Sequence, residues 1–148
     1  MKKLIIAAFL LGSVICEVNA QAQFKIITTI ESIVPGGIGR SRIIENGTEI
    51  DYEQFTTERT DGKKSEQGDV KRGDAKVDKF SETKMLNFFS MAGINFQNVA
   101  SNDALATSML NSLAKEGWEL FTVVSGVESD AGKGDGQGIF ITRYIFKK

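Results

Sequence analysis

At Gly117 the hydrophobic repeat changes from that of a helix to that of a strand within a single residue. Upstream, Ala106, Met109, Leu110, Leu113 and Ala114 follow the i, i+3, i+4, i+7, i+8 spacing of a helix with one buried face. Ser101-Asn102-Asp103 offers a cap and an acidic first turn, and Gly117 offers a left-handed stop. The pattern predicts a helix over Asn102 to Glu116. Downstream, Trp118 to Val127 and Ile139 to Lys147 are rich in the β-branched and aromatic residues of strands. Glu128 to Gly138, with no apolar residue larger than alanine, should join them as an antiparallel hairpin. A chain that turns from helix into sheet at Gly117 needs a large side chain under the helix end, so Trp118 is expected in the core.

Phe24 to Val34 (FKIITTIESIV) reads as a further strand, ending at the only proline, Pro35. Ser41 to Ile44 and Glu49 to Thr57 suggest two short strands across Asn46-Gly47, a dipeptide favoured in tight hairpins. Lys84 to Ser90 and Ile94 to Val99 suggest two more, divided by Ala92-Gly93, with a helix through Leu86–Phe89 as the competing reading. The charged stretch from about 58 to 79 has Val70 and Val77 as its only large aliphatic residues and predicts a mobile loop or hairpin tip. The fold expected is α+β: a mainly antiparallel sheet with the helix at about 102–116 packed on one face. Placing Ile139–Lys147 between Trp118–Val127 and Phe24–Val34 makes every neighbour antiparallel. Strict alternation puts Trp118, Leu120 and Val124 on one face and Phe121 and Val123 on the other. Both sets are apolar, so the second face needs cover, from the segment Pro35–Ala100 or from a partner subunit in a homodimer.

The first twenty residues read as a secretion signal. Met1-Lys2-Lys3 is basic, Leu4 to Leu11 is apolar, and Val18-Asn19-Ala20 fits the small-x-small cleavage pattern, with cleavage after Ala22 as a second choice. The apolar run is shorter than the about twenty residues that span a bilayer. Lipidation at Cys16 is disfavoured by Ile15 before it and Ser13 three positions back. Residues 21–148 are then one domain in the periplasm or the medium, of about 128 residues. That domain has neither cysteine nor histidine, so it cannot use disulfide staples and lacks the commonest nucleophile, neutral-pH base and transition-metal ligand. The formal charge of the whole chain is −1, which offers no general attraction to nucleic acid or anionic lipid.

The run from Leu110 to Leu120 (LNSLAKEGWEL), followed by a strand pair ending Arg143-Tyr144-Ile145-Phe146-Lys147-Lys148, resembles the small bacterial domain-of-unknown-function family 4177. The resemblance covers about residues 105–148 and implies a strand, a helix ending in Glu-Gly-Trp-Glu-Leu, and a closing hairpin. It implies no catalytic residue, and it leaves Pro35 to Ala100 as an insertion.

The strongest motif for binding is Gly36, Gly37 and Gly39 followed by Arg40 and Arg42. Successive glycines can gather backbone N–H groups into one concavity, and two arginines can grip a carboxylate or phosphate. No helix follows, so a nucleotide loop is excluded, and the bland alternative pairs each arginine with Glu45, Glu49 or Asp51. The acidic loop holding Asp130 and Asp135 lacks the alternating carboxylates of a calcium loop. No elbow serine or placed carboxylate pair is present, so no enzyme activity, cofactor or metal is expected. The expectation is a non-enzymatic interaction or structural module with a protein partner; the alternative is a domain that binds a small anion through Gly36–Arg42.

Overall fold

The computed structural model describes residues 21–34, 38–128 and 138–148. Residues 1–20, where a secretion signal is expected, Gly36 and Gly37, and Asp130 and Asp135 lie outside the described residues. In chain order the strands are β1 (Phe24–Ser32), β2 (Ile38–Asn46), β3 (Arg59–Thr60), β4 (Lys64–Ser65), β5 (Phe80–Leu86), β6 (Phe89–Ser90), β7 (Gly93–Ile94), β8 (Glu119–Val127) and β9 (Ile139–Lys147). One α-helix, α1 (Phe96–Lys115), joins β7 to β8. Five strands form an antiparallel sheet in the order β5-β2-β1-β9-β8, while β3–β4 and β6–β7 are separate small hairpins. This is the expected α+β fold, with β9 between β8 and β1.

The core draws one side chain from each of five elements: Ile27 of β1, Ile43 of β2, Met85 of β5, Leu113 of α1 and Phe146 of β9. Burying each stabilises the fold by about 1.5–3 kcal/mol. Leu105, Met109 and Leu110 of α1, with Trp118 and Tyr144, pack around them. Ala114, expected on the buried face, is exposed. The stripe that faces the sheet instead runs through Asn102, Leu105, Met109 and Leu113.

The end of α1 follows the sequence closely. Gly117 has φ +88°, Trp118 N–H donates to the Leu113 carbonyl and Gly117 N–H to that of Ala114, both at 3.0 Å. These are the two bonds of a glycine-terminated helix whose next residue packs back on the last turn. Trp118 does so while half-buried, with the ammonium groups of Lys25 and Lys148 over its ring at 5.1 and 5.8 Å.

The start of α1 differs from expectation. The cap is Asn95, whose Oδ1 accepts from Asn98 N–H at 3.2 Å, so of the strand expected over Ile94–Val99 only Ile94 pairs, in β7, and Phe96–Val99 is the first turn of the helix. Ser101 bonds backward, Oγ to the Gln97 carbonyl at 2.8 Å, which a serine within a helix can do as readily as cap one. Glu49–Thr57 is not a strand. Asn46 Oδ1 accepts from Thr48 N–H, its Nδ2 donates to the Thr48 carbonyl, and the chain leaves the sheet. A 3₁₀ turn, Tyr52–Phe55, follows, with the Asp51 carboxylate accepting from Glu53 N–H. The antiparallel partner of β2 beyond this excursion is β5, with Asn46 opposite Phe80. The charged segment holds the β3–β4 hairpin and keeps only Val70 and Val77 from full exposure.

Candidate association surface

Ser41 begins a buried polar ladder that ties β1, β2, β5 and α1 together. Its Oγ accepts from Ser32 N–H and donates to Asn87 Oδ1, each at 2.9 Å. Asn87 Nδ2 reaches the Val34 carbonyl at 3.1 Å, and Asn98 Nδ2 reaches the Asn87 carbonyl at 2.7 Å. Asn102, only 1% exposed, accepts from Leu86 N–H at 2.9 Å and donates to the Leu86 carbonyl and to Glu31 Oε1 at 2.8 and 3.0 Å. Asn102 therefore closes backbone groups that would otherwise lie open at the end of β5. Satisfied networks of this kind fix one arrangement of their elements. Beside it, burial pushes the Tyr144 phenol above its usual value of 10.0; the charges of Glu31 and Asp103 add to this, and a hydrogen bond with Thr29 opposes it.

The arginine motif is divided. Gly39 lies in β2, Arg40 is exposed, and Arg42 pairs with Glu82 of β5 at 2.6 Å while its Nε donates to the Arg40 carbonyl. The carboxylate that meets Arg42 is thus neither Glu45, Glu49 nor Asp51; Glu45 pairs with Lys25 at 2.9 Å. A groove of about 210 Å³ between α1 and the β2–β5 side is lined by Ile43, Thr83, Leu105 and Met109 and does not include either arginine. It falls below the 300–1,000 Å³ usual for ligand clefts. Among the described residues no cluster of three or more His, Cys, Asp or Glu is placed to hold a metal, and no helix is long and apolar enough to cross a membrane.

The far end of the sheet is different in kind. α1 covers one face, which carries Ile27, Thr29, Ile43, Tyr144 and Phe146. The opposite face, read from the strand register, carries Phe24, Ile26, Ile30, Ile141, Ile145 and Val124 toward β8, with Arg143 and Lys147 among them, and Ile44, Arg42, Glu82 and Lys84 toward β5. The sequence had suggested that the segment Pro35–Ala100 covers it; among the described residues, 38–100 do not, because β2 and β5 extend the sheet sideways. Phe24, Ile26, Phe121 and Val124 keep 50 to 61% of their surface exposed.

β8 is the extreme case, since all nine of its residues are exposed and none joins the core. A register shift between Leu120 and Thr122 overturns the simple alternation. Leu120 and Val123 now share the helix side, opposite Phe146 and Tyr144, and Val124 lies on the other side, opposite Arg143. Phe121 packs edge-on to Phe24, ring centres 6.0 Å apart, with Lys147 Nζ above it. An extra residue in one strand sends the side chains beyond it to the other face. Sequence patterning does not register such a bulge, but the two-faced apolar character of Trp118–Val127 was a usable signal of an unpartnered surface. Comparison with family models, curated proteins and solved structures finds no match to this chain.

Proposed function

We propose that this chain is an exported, non-enzymatic association module that binds protein through the β8 end of its sheet. The observation that carries this reading is β8 itself, a nine-residue strand exposed on both faces and ending one side of the sheet. Leu120, Val123, Val127 and Phe140 on the helix side, each 43 to 61% exposed, continue the apolar surface around the edge from Phe121 and Val124. Contiguous apolar surface on this scale marks interaction sites, and an open strand offers a row of backbone donors and acceptors to pair. The lack of cysteine and histidine after residue 20 supports a role without chemistry. The anion-binding alternative is weakened by the engagement of Arg42 with Glu82.

A photo-crosslinking amino acid placed at Val124, and at Lys84 on the opposite edge as a control, tests this in the cells that export the protein. Adducts are expected at Val124 and not at Lys84. Absence of any adduct at Val124 would overturn the reading.

A further inference from the structure

The two edges of the sheet are unlike. Along β5, Asn102 closes the backbone at Leu86, Thr48 Oγ1 donates to the Lys79 carbonyl just before the strand, and Glu82 and Lys84 set charges along it. Charges and capped backbone groups keep an edge from accepting another strand. From Leu120 to Val127, β8 has no charge and no proline.

We propose that β8 pairs antiparallel with β8 of a second copy of this chain, about a two-fold axis perpendicular to the sheet near Val123 and Val124. Two five-stranded sheets thereby become one. This rests on the association reading above and names its partner.

Several observations select a second copy. Pairing β8 of one molecule with β5 of the next would be head-to-tail and would grow without end, but β5 is capped at Leu86 and carries Glu82 and Lys84, so the uncharged edge meets its own kind and the assembly stops at two. A two-fold axis perpendicular to the sheet preserves faces. Leu120, Val123 and Val127 of both copies therefore meet on the helix side, and Phe121 and Val124 on the other. Nothing within this stretch repels itself, and Glu119 at its end is paired with Lys147 at 3.4 Å. A partner recognised by charge would find nothing in Leu120–Val127 to hold.

Sedimentation of the purified exported protein over a hundredfold concentration range tests the pairing. The mass should double as concentration rises. Val123→Lys with Val124→Lys should weaken association at least about a hundredfold while leaving circular dichroism unchanged, because both side chains are already exposed. Residues facing each other across an antiparallel pair lie within disulfide reach. In a Cys16→Ser background, Val123→Cys or Val124→Cys should then give a crosslinked dimer on oxidation, and Thr83→Cys on β5 should not. A monomer at every concentration, or a dimer that survives the two lysines, overturns the proposal. Val124 adducts with a different protein, from a chain that stays monomeric, would overturn it and leave the association reading standing. A monomer without adducts would overturn both.

Discussion

Replacing Asn102 with leucine would keep the branched shape of the side chain and strip the partners from Leu86 N–H, the Leu86 carbonyl and Glu31. Leaving buried polar groups unpaired costs about 1–3 kcal/mol each, so with two Leu86 backbone groups stripped Asn102→Leu is expected to lose about 2–6 kcal/mol in urea unfolding. Asn102→Asp is the sharper test. A carboxylate there would be buried 3.0 Å from a Glu31 oxygen, and both effects raise its pKa above the unfolded value. With the folded value raised, the deficit is greatest at neutral pH and shrinks on acidification as the carboxyl takes up its proton. A deficit independent of pH would show that the site admits water. Tyr144 gives the opposite limb. Its phenol is raised above 10.0, chiefly by burial and then by Glu31. Its contribution to stability is intact below the unfolded pKa and is lost as pH rises through the folded one. Tyr144→Phe should therefore lose less stability than the parent between about pH 9 and about pH 11. Trp118 is half-buried, so Trp118→Ala is expected to cost about 2–3 kcal/mol, below the 3–5 typical of enclosed aromatics.

At the scale of elements, α1 is held differently at its two ends. Its C-terminus is closed by local bonds around Gly117, and its N-terminus by Asn95 with help from Asn98, which also bonds the chain leaving β5. Removing the cap in Asn95→Ala should cost about 1 kcal/mol. Amide exchange should show faster opening of the first turn at Phe96–Val99 and no change around Leu113. Uniform acceleration would mean that α1 opens as one unit. Among the described residues β8 stands apart from the other strands of the sheet because it pairs on one side only and all nine of its residues are exposed. It is held by its pairing with β9, and covering it would remove apolar surface from water at little cost in further ordering.

At the scale of the whole molecule, the described residues form a five-stranded sheet with one helix, which leaves one face covered and the other bare among them, a division that antiparallel sheets tolerate when the bare face is polar. Here most of the exposed large apolar side chains of that face lie at β1 and β8, with Arg143 and Lys147 of β9 between them, while Arg42, Glu82 and Lys84 set charges at β2–β5. Export should remove residues 1–20, and mass spectrometry of the protein from periplasm or medium is expected to find Gln21, or Gln23, as the first residue. An intact Met1 or a lipid on Cys16 would contradict this.

The sequence by itself determined what depends on neighbours a few residues away. The stop at Gly117, the strands at 24–32, 119–127 and 139–147, and the central place of the last strand all follow from local periodicity, a glycine and the avoidance of parallel crossings. Tertiary structure decided whatever depends on a distant partner. Asn95 and Ser101 offer the same local chemistry, and only the contact of Asn98 with Asn87 and of Asn102 with β5 sets the helix start. Glu49–Thr57 alternates like a strand but meets no sheet edge, because β5 takes that place beside β2. Arg42 stood close to three acids in sequence and found Glu82, forty residues away, since pairing across strands is set by register and not by separation along the chain. The candidate surface was half legible: apolar residues on both faces of β8 announced a need for cover. The bulge at Phe121 and the bare edge were decided by how the sheet closed, because exposure belongs to the arrangement of all five strands and to no one of them.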